Sequence, residues 1–559
     1  MGGAAACASK ESDPNGPPAD NSTGPVTTVP VTTTPGPTGA TPPSPTPSPT
    51  SVQPTTPGAT GSPTTPTSTG PGATTPGPVT STPTGPGPVA STEPTSGPEG
   101  SSTDVTSSDE PTEEPSNCVP NPRARAHNPL VTHIFTADPN AVVYGDRVYL
   151  YVSHDVDNQD NYYMVDYRGF SSDDMVNWQD HGVLIHTDSL PWATYLYAPG
   201  ACAKNGKYYL YIPTEGDAIG VAVADDPGGP FVDPLGKPLL TKDFPNADVL
   251  WLFDPACFVD DDGQGYLYFG GGNDGGQNAR VIRLNDDMVS FKDERATTVP
   301  TVAFFEAAFV HKHEGIYYLN YSSDFIEGYH GSLEYLTSDN PMTGWTHRGR
   351  LLPNTNDINR SNNNHGSIID YKGKTYLFYH QRKLEQELKV DKKDNRSVAV
   401  QEITYGPNNT LNATTMSRED FTVSQLKCLN GFKEVQAETL AGEKGIEVEG
   451  KAGETVYVDS ISNNDWVGYS QVDFRDGATK LVLRVASQNG GGKIDVRIDG
   501  CLQGQQGTSI GECTVAATGG NTTYANLTCE IQGPAGPHDL CLHFSENPAF
   551  RFDSWHLEE

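Results

Sequence analysis

Between residues 138 and 379 one pattern returns five times: a short apolar strand, a turn holding a glycine, and a second strand centred on Tyr-Leu. The turn glycines are Gly145, Gly206, Gly263, Gly315 and Gly373. The pairs are Tyr149-Leu150, Tyr209-Leu210, Tyr266-Leu267, Tyr318-Leu319 and Tyr376-Leu377, so successive tyrosines lie 60, 57, 52 and 58 residues apart. Repeats of about 50 residues built from short strands predict propeller blades, because one such unit cannot bury its apolar face alone. The expected fold is all-β, a five-bladed β-propeller. Counting back 11 or 12 residues from each tyrosine reaches Asp138, Ala198, Asp254, Glu306 and His365. Equivalent ends of the innermost strands of a propeller meet at one axis, so Asp138, Asp254, Glu306 and His365 are expected around a shared pocket.

Charge narrows the partner. The chain has 559 residues, a formal net charge of −34 and a pI near 4.6, which excludes the basic surface that nucleic acid requires. A neutral or weakly charged polysaccharide fits. No run approaches the ~20 apolar residues of a membrane span. The first residues, MGGAAACASK, lack the basic and apolar regions of a signal peptide, so secretion is read from other features.

Residues 1–117 are Pro, Thr, Ser and Gly in low-complexity order, with no aromatic residue and Lys10 as the sole base. Such a segment buries nothing and is expected to be a disordered, O-glycosylated stalk or linker. A propeller domain is expected over 118–427 and a β-sandwich over 428–559. Strands of the second unit are predicted at 455–461, 466–474, 480–486, 493–498, 538–544 and 550–557, where apolar residues alternate as in Leu481, Leu483 and Val485. Nine cysteines carry no zinc spacing. Cys501–Cys513 and Cys529–Cys541, each 12 residues apart, are the expected local disulfides. Cys118–Cys428 is expected to close the ring, and Cys202 and Cys257 are expected as free thiols. Sequons at Asn21, Asn320, Asn359, Asn395, Asn408, Asn412, Asn521 and Asn526 point with the cysteines to an extracellular protein, although Asn320 lies in a predicted strand where a glycan does not fit.

The carboxylates suit glycoside hydrolysis, which needs one carboxyl to protonate the leaving oxygen and one to activate water or attack. Phe304 and Phe305 beside Glu306 lower the local dielectric, and an anionic Asp254 nearby acts in the same direction; both raise the pKa of Glu306 and suit it to general acid. Asp138 is left as the base.

These stretches carry a resemblance. His133-Ile-Phe-Thr-Ala-Asp138, Tyr197-Ala-Pro199, Phe253-Asp254-Pro255, Phe305-Glu306-Ala307 and Asn364-His365-Gly366 make residues 128–415 similar to glycoside hydrolase family 43, five-bladed inverting enzymes of arabinoxylan, xylan and arabinan. The resemblance implies Asp138 as general base, Glu306 as general acid and Asp254 as the residue that orients the acid and raises its pKa. It also implies that His365 lies beneath the sugar site with a hydrated calcium there, and that Arg396 contacts the sugar; no cofactor serves the chemistry. Trp251, Trp192 and Tyr197 precede or flank the blade starts and are expected as stacking surfaces. Residues 430–559, with Val435-Gln-Ala-Glu438, Asp465-Trp-Val-Gly-Tyr469 and Phe552-Asp553-Ser-Trp555, resemble a family 6 carbohydrate-binding module, a jelly-roll sandwich with a structural calcium on Glu438 and Asp553. Gln436 stands where that family has an acid. Asn521 replaces the Trp that walls its main cleft, and Arg551 replaces its usual Asn. Tyr469 and Tyr524 are then alternative stacking surfaces, and Trp466 is expected in the core.

The expected protein is a secreted, monomeric, inverting enzyme that releases α-L-arabinofuranosyl branches from arabinoxylan. The stretch Asn128-Pro-Leu-Val-Thr-His133 and the appended module both resemble arabinofuranohydrolases. The alternatives are β-xylosidase or arabinanase within the family, a retaining β-fructosidase, or a glycan-binding propeller without catalysis.

Overall fold

The computed structural model describes residues 118–559 except 160, 273–276, 325, 327–329, 360–362, 391–394 and 418–421. The expected stalk, Cys7 and Asn21 lie outside the described residues. Five antiparallel sheets follow in chain order. Their innermost strands are Thr136–Tyr144, Gly200–Lys204, Ala256–Val259, Phe304–His313 and Gly366–Tyr371. The second strands carry the Tyr-Leu pairs. Each repeat glycine sits in the tight turn between the two, at φ from 60° to 81°, a left-handed conformation that a Cβ disfavours.

The leucine of each pair explains the ring. Leu150, Leu210, Leu267, Leu319 and Leu377 are all buried, and each falls in a different hydrophobic cluster. One cluster fills the space between each neighbouring pair of blades. The last joins blade five to blade one, where Trp178 meets Phe378 edge to face at 5.9 Å. Hydrogen bonds also join this seam: Leu130 N–H donates to Val398 O, and the Asn128 side chain bonds both N–H and C=O of Val400. The Cys118–Cys428 disulfide forms as expected.

The other disulfides correct the sequence reading. Cys501 pairs with Cys541 and Cys513 with Cys529. Strand register decides this, since Arg497 already lies opposite Cys541 and Cys501 follows it around the turn, over the same strand. Cys202 and Cys257 are bonded to each other rather than free. They lie on the adjacent innermost strands of blades two and three with Cα atoms 5.5 Å apart.

The second unit is a two-sheet sandwich. One sheet runs through Trp466–Asp473, Pro537–Ser545, Lys493–Ile498 and Thr508–Thr514, the other through Tyr457–Asp459, Arg551–Glu558, Lys480–Ala486 and Tyr524–Glu530. Leu481, Leu483 and Val485 face the core between them. Two strands, Thr508–Thr514 and Tyr524–Glu530, were absent from the sequence reading because they are largely exposed and lack apolar alternation. Trp466 is not in this core; it is half-buried on the outer face, stacked on His543 at 6.3 Å. Tyr469 is fully buried, its hydroxyl bonded to Ala437 O, so it cannot stack on a sugar. The sandwich also extends the propeller: Thr439–Leu440 pairs antiparallel with Trp178 and Gln179, adding a fifth strand to blade one.

Candidate active site

Asp138, Asp254, Glu306 and His365 line one recess at the propeller axis, with Asn161, Tyr162, Tyr197, Asn363 and Arg396 among its other walls. The recess holds about 520 Å³ not filled by protein atoms, open solvent included, within the range of small-molecule sites. Local backbone irregularity aims the acids. Asp138 and Asp254 adopt φ of 52° and 47°, and Ala307, after Glu306, adopts 65°. Strand register slips between Ala137 and Asn140 and again on both sides of Glu306. Bulges of this kind re-aim side chains, and left-handed non-glycine residues store strain that functional sites retain.

The three carboxyls are buried, and their surroundings separate them. Burial alone pushes Asp138 up. The Arg396 guanidinium at 2.6 Å, aided by His365 and His380, outweighs it and holds Asp138 well below the usual carboxylate range. The Ser153 hydroxyl donates to its second oxygen at 2.5 Å. Burial pushes Glu306 well above the ordinary glutamate value, and the charges of Asp254 and Asp138 add to the effect. Asp254 rises to about 6, first through burial and then through Asp138, against the opposing charge of His365. One Asp254 oxygen accepts the Ala307 N–H at 2.8 Å, so this carboxylate grips the backbone next to Glu306. The arrangement can hold one carboxyl ionised and another protonated in the same hollow.

Arg396 lines the recess, but its donors go to protein: Nε and Nη2 to Asp155 at 3.0 and 2.8 Å, Nη1 to Asp138. Its guanidinium lies 4.9 Å from the Tyr162 ring. Asp155, Ser153, His380 and Tyr162 were missed by the sequence reading. The repeat held a signal for two of them. Ser153 and His380 each follow the repeat tyrosine by four residues, at the end of a second strand, and both touch Asp138.

Tyr197 walls the recess. Trp251 does not; it stands one ring back, 5.5 Å from Phe253 and 5.8 Å from Phe305. Trp192 is further away still, bonded to Asp233 and packed on Gly220. A chain of rings runs from Tyr163 through Tyr195, Tyr197, Phe253, Trp251 and Phe305 to His330, with neighbouring centroids 4.6 to 5.9 Å apart, and Tyr197 and Phe253 of it line the recess. Tyr163 is exposed, as are Leu250 and Val302.

At the axis His365 offers one ring nitrogen, 3.5 Å from Asp138; calcium selects oxygen, so a hydrated ion there would take its ligands from water. In the sandwich, Glu438 has a buried oxygen without a hydrogen-bond partner, which a cation would satisfy. Asp553, however, is already held by the Arg484 guanidinium, and Gln436 brings no charge. Among the described residues no group of three or more His, Cys, Asp or Glu converges as a metal site.

With this geometry the sequence comparisons agree. Residues 126–411 match the glycosyl hydrolases family 43, and residues 436–559 match the carbohydrate binding module of family 6. The chain belongs to glycosyl hydrolase family 43 and carries a family 6 module. It is 34% identical to the arabinoxylan arabinofuranohydrolase of Bacillus subtilis, over 77% of this chain and 92% of that one. Identity to the xylosidase/arabinosidase 43A of Humicola insolens is 36%, over 50% of this chain and 96% of the relative. The crystal structure of a Bacillus subtilis family 43 arabinoxylan arabinofuranohydrolase in complex with cellotetraose superposes with a TM-score of 0.71 at 34% identity, covering 77% of this chain and 97% of that one.

Proposed function

We propose that this protein is a secreted, inverting hydrolase that removes α-L-arabinofuranosyl branches from arabinoxylan. The observation that carries the reading is the split within one hollow, where Arg396 pushes the Asp138 pKa down while burial and the neighbouring acids push that of Glu306 up. Glu306 donates its proton to the glycosidic oxygen as the C–O bond breaks. Asp138 takes a proton from the water that attacks the anomeric carbon from the opposite face. Asp254 keeps Glu306 protonated by its charge and fixes it through the Ala307 N–H.

Similarity to arabinoxylan arabinofuranohydrolases across propeller and module alike supports arabinose branches as the substrate. Exposed Tyr163 at one end of the ring chain and Tyr197 in the recess wall favour a polymer as substrate, because sugar C–H faces pack on aromatic surface. Four disulfides and exposed sequons at Asn408, Asn412 and Asn526 support an oxidising, extracellular setting. Asn320, Asn359 and Asn395 are buried and are not glycan acceptors in the folded chain.

The competing reading is β-xylosidase, favoured by the match of the propeller alone to a xylosidase/arabinosidase. Sugar-product analysis on arabinose-substituted xylan and on linear xylo-oligosaccharides separates the two. Arabinose from the first substrate is expected; xylose alone from both would overturn the assignment. Proton NMR of the first-formed anomer tests inversion.

A further inference from the structure

The sandwich has a recess of its own, bounded by Asp459, Ser460, Gln488, Asn489, Asn521 and Arg551. It presents no free aromatic face. Phe550 beneath it is buried, and the face of nearby Tyr457 is covered by the Arg551 guanidinium, 4.5 Å from the ring centroid. A neutral sugar held by ring stacking has nothing here to lie on.

What the recess offers is a cation fixed in place. Arg551 Nε donates to one oxygen of Asp459 at 3.2 Å, and the other oxygen accepts the Ser460 N–H at 2.8 Å. Asp459 therefore acts as a bracket, with both oxygens in use. The Tyr457 ring supports the guanidinium plane from one side. Among the described residues nothing engages the two terminal amino groups of Arg551. Beside them stand the amides of Gln488, Asn489 and Asn521, the last anchored by the Gln488 N–H on its oxygen at 3.1 Å.

We propose that this recess binds a carboxylate-bearing sugar, a uronate residue of an acidic polysaccharide, through the fork of Arg551. A guanidinium with two parallel N–H groups free matches a carboxylate bidentately, and amides can both donate to and accept from the neighbouring hydroxyls. The net charge of −34 does not forbid this. Charges farther than about 8 Å are screened at physiological ionic strength, so the local fork dominates. The site lies on the sandwich and stands whether or not the propeller releases arabinose.

The test uses the full chain carrying Thr523→Ala, which removes the Asn521 sequon so that no glycan fills the recess. Affinity is measured for a glucuronoxylan, for the same polymer with its carboxyls reduced to alcohols, and for inorganic phosphate. Reduction is expected to weaken binding about tenfold or more, as loss of a charge-assisted hydrogen bond implies, and added salt weakens only the native polymer. Arg551→Met removes the preference. Arg551→Lys, which keeps charge without the fork, loses most of it, and provides the test should the Met variant fail to fold. Equal affinity for native and reduced polymer, binding of neither, or a preference that survives both substitutions would overturn the proposal. Competition by phosphate at the same concentration as uronate residues would reassign the recess to small anions.

Discussion

The axial hollow and the sandwich recess are both built on β-sheet, yet they treat charge in opposite ways. At the propeller axis Asp138, Asp254 and Glu306 are only 4%, 6% and 7% exposed. There desolvation is the first influence on every carboxyl, and what decides each one is whether Arg396 or another acid stands beside it. In the sandwich recess the Arg551 and Asp459 side chains are 28% and 31% exposed, and water screens them. Proton transfer needs groups pushed away from their ordinary pKa. Holding a ligand needs only groups set in place.

The strongest challenge to this contrast is removal of the axial carboxyls. Glu306→Gln and Asp138→Asn are each expected to lower kcat by about 10²–10⁴-fold, with the melting temperature nearly unchanged; steady-state kinetics beside calorimetry checks both. Wild-type turnover in either variant would leave the axis no different from the sandwich.

Next is the cation that the axis buries. Arg396→Met strands Asp138 and Asp155 without their partner, and denaturant unfolding should show a loss of about 3–5 kcal/mol. Any residual activity should have its acidic limb moved to higher pH. Asp138 loses the charge that holds it ionised, so its pKa rises and it protonates earlier as pH falls. Arg551→Met in the recess should change stability by less than about 0.5 kcal/mol.

The covalent ties sharpen the same division. Cys202–Cys257 closes a separation of 55 residues between two blades, and Cys513–Cys529 closes 16 within the sandwich. Chain-entropy reasoning gives about 4 and about 3 kcal/mol respectively. Paired serine variants melted side by side should rank in that order.

The subtlest test is Asp254→Asn. Taking away this negative charge makes ionised Glu306 easier to form, so the pKa of Glu306 falls. The alkaline limb of kcat against pH, where the acid loses its proton, should move to lower pH. A limb that stays in place would limit Asp254 to its bond with Ala307.

Why the axis was legible in sequence and the sandwich less so follows from the same difference. A ring of blades converts a period into a position, so Asp138, Asp254, Glu306 and His365 could be placed together by counting. The partners of Arg396 could not, because Asp155 lies just past the end of a strand, where no repeat fixes its direction. Cys202 and Cys257 were within reach of the count, since both lie on innermost strands of neighbouring blades, but spacing alone hid them. In the sandwich no period exists. Cys501, Cys513, Cys529 and Cys541 paired by register rather than by distance along the chain, and Thr508–Thr514 and Tyr524–Glu530 showed too little apolar alternation to be seen. The role of Tyr469 was misjudged because an aromatic ring in a strand looks the same whether it faces a ligand or the core.

The strand Thr439–Leu440 laid along Trp178 and Gln179 has a consequence for how the chain can be divided. Severing the sandwich from the propeller would strip a partner from blade one and leave a row of backbone amides and carbonyls open to the next molecule that offers a strand. A propeller prepared in isolation is therefore expected to stick to itself, whereas the intact chain carries its own guard against that fate.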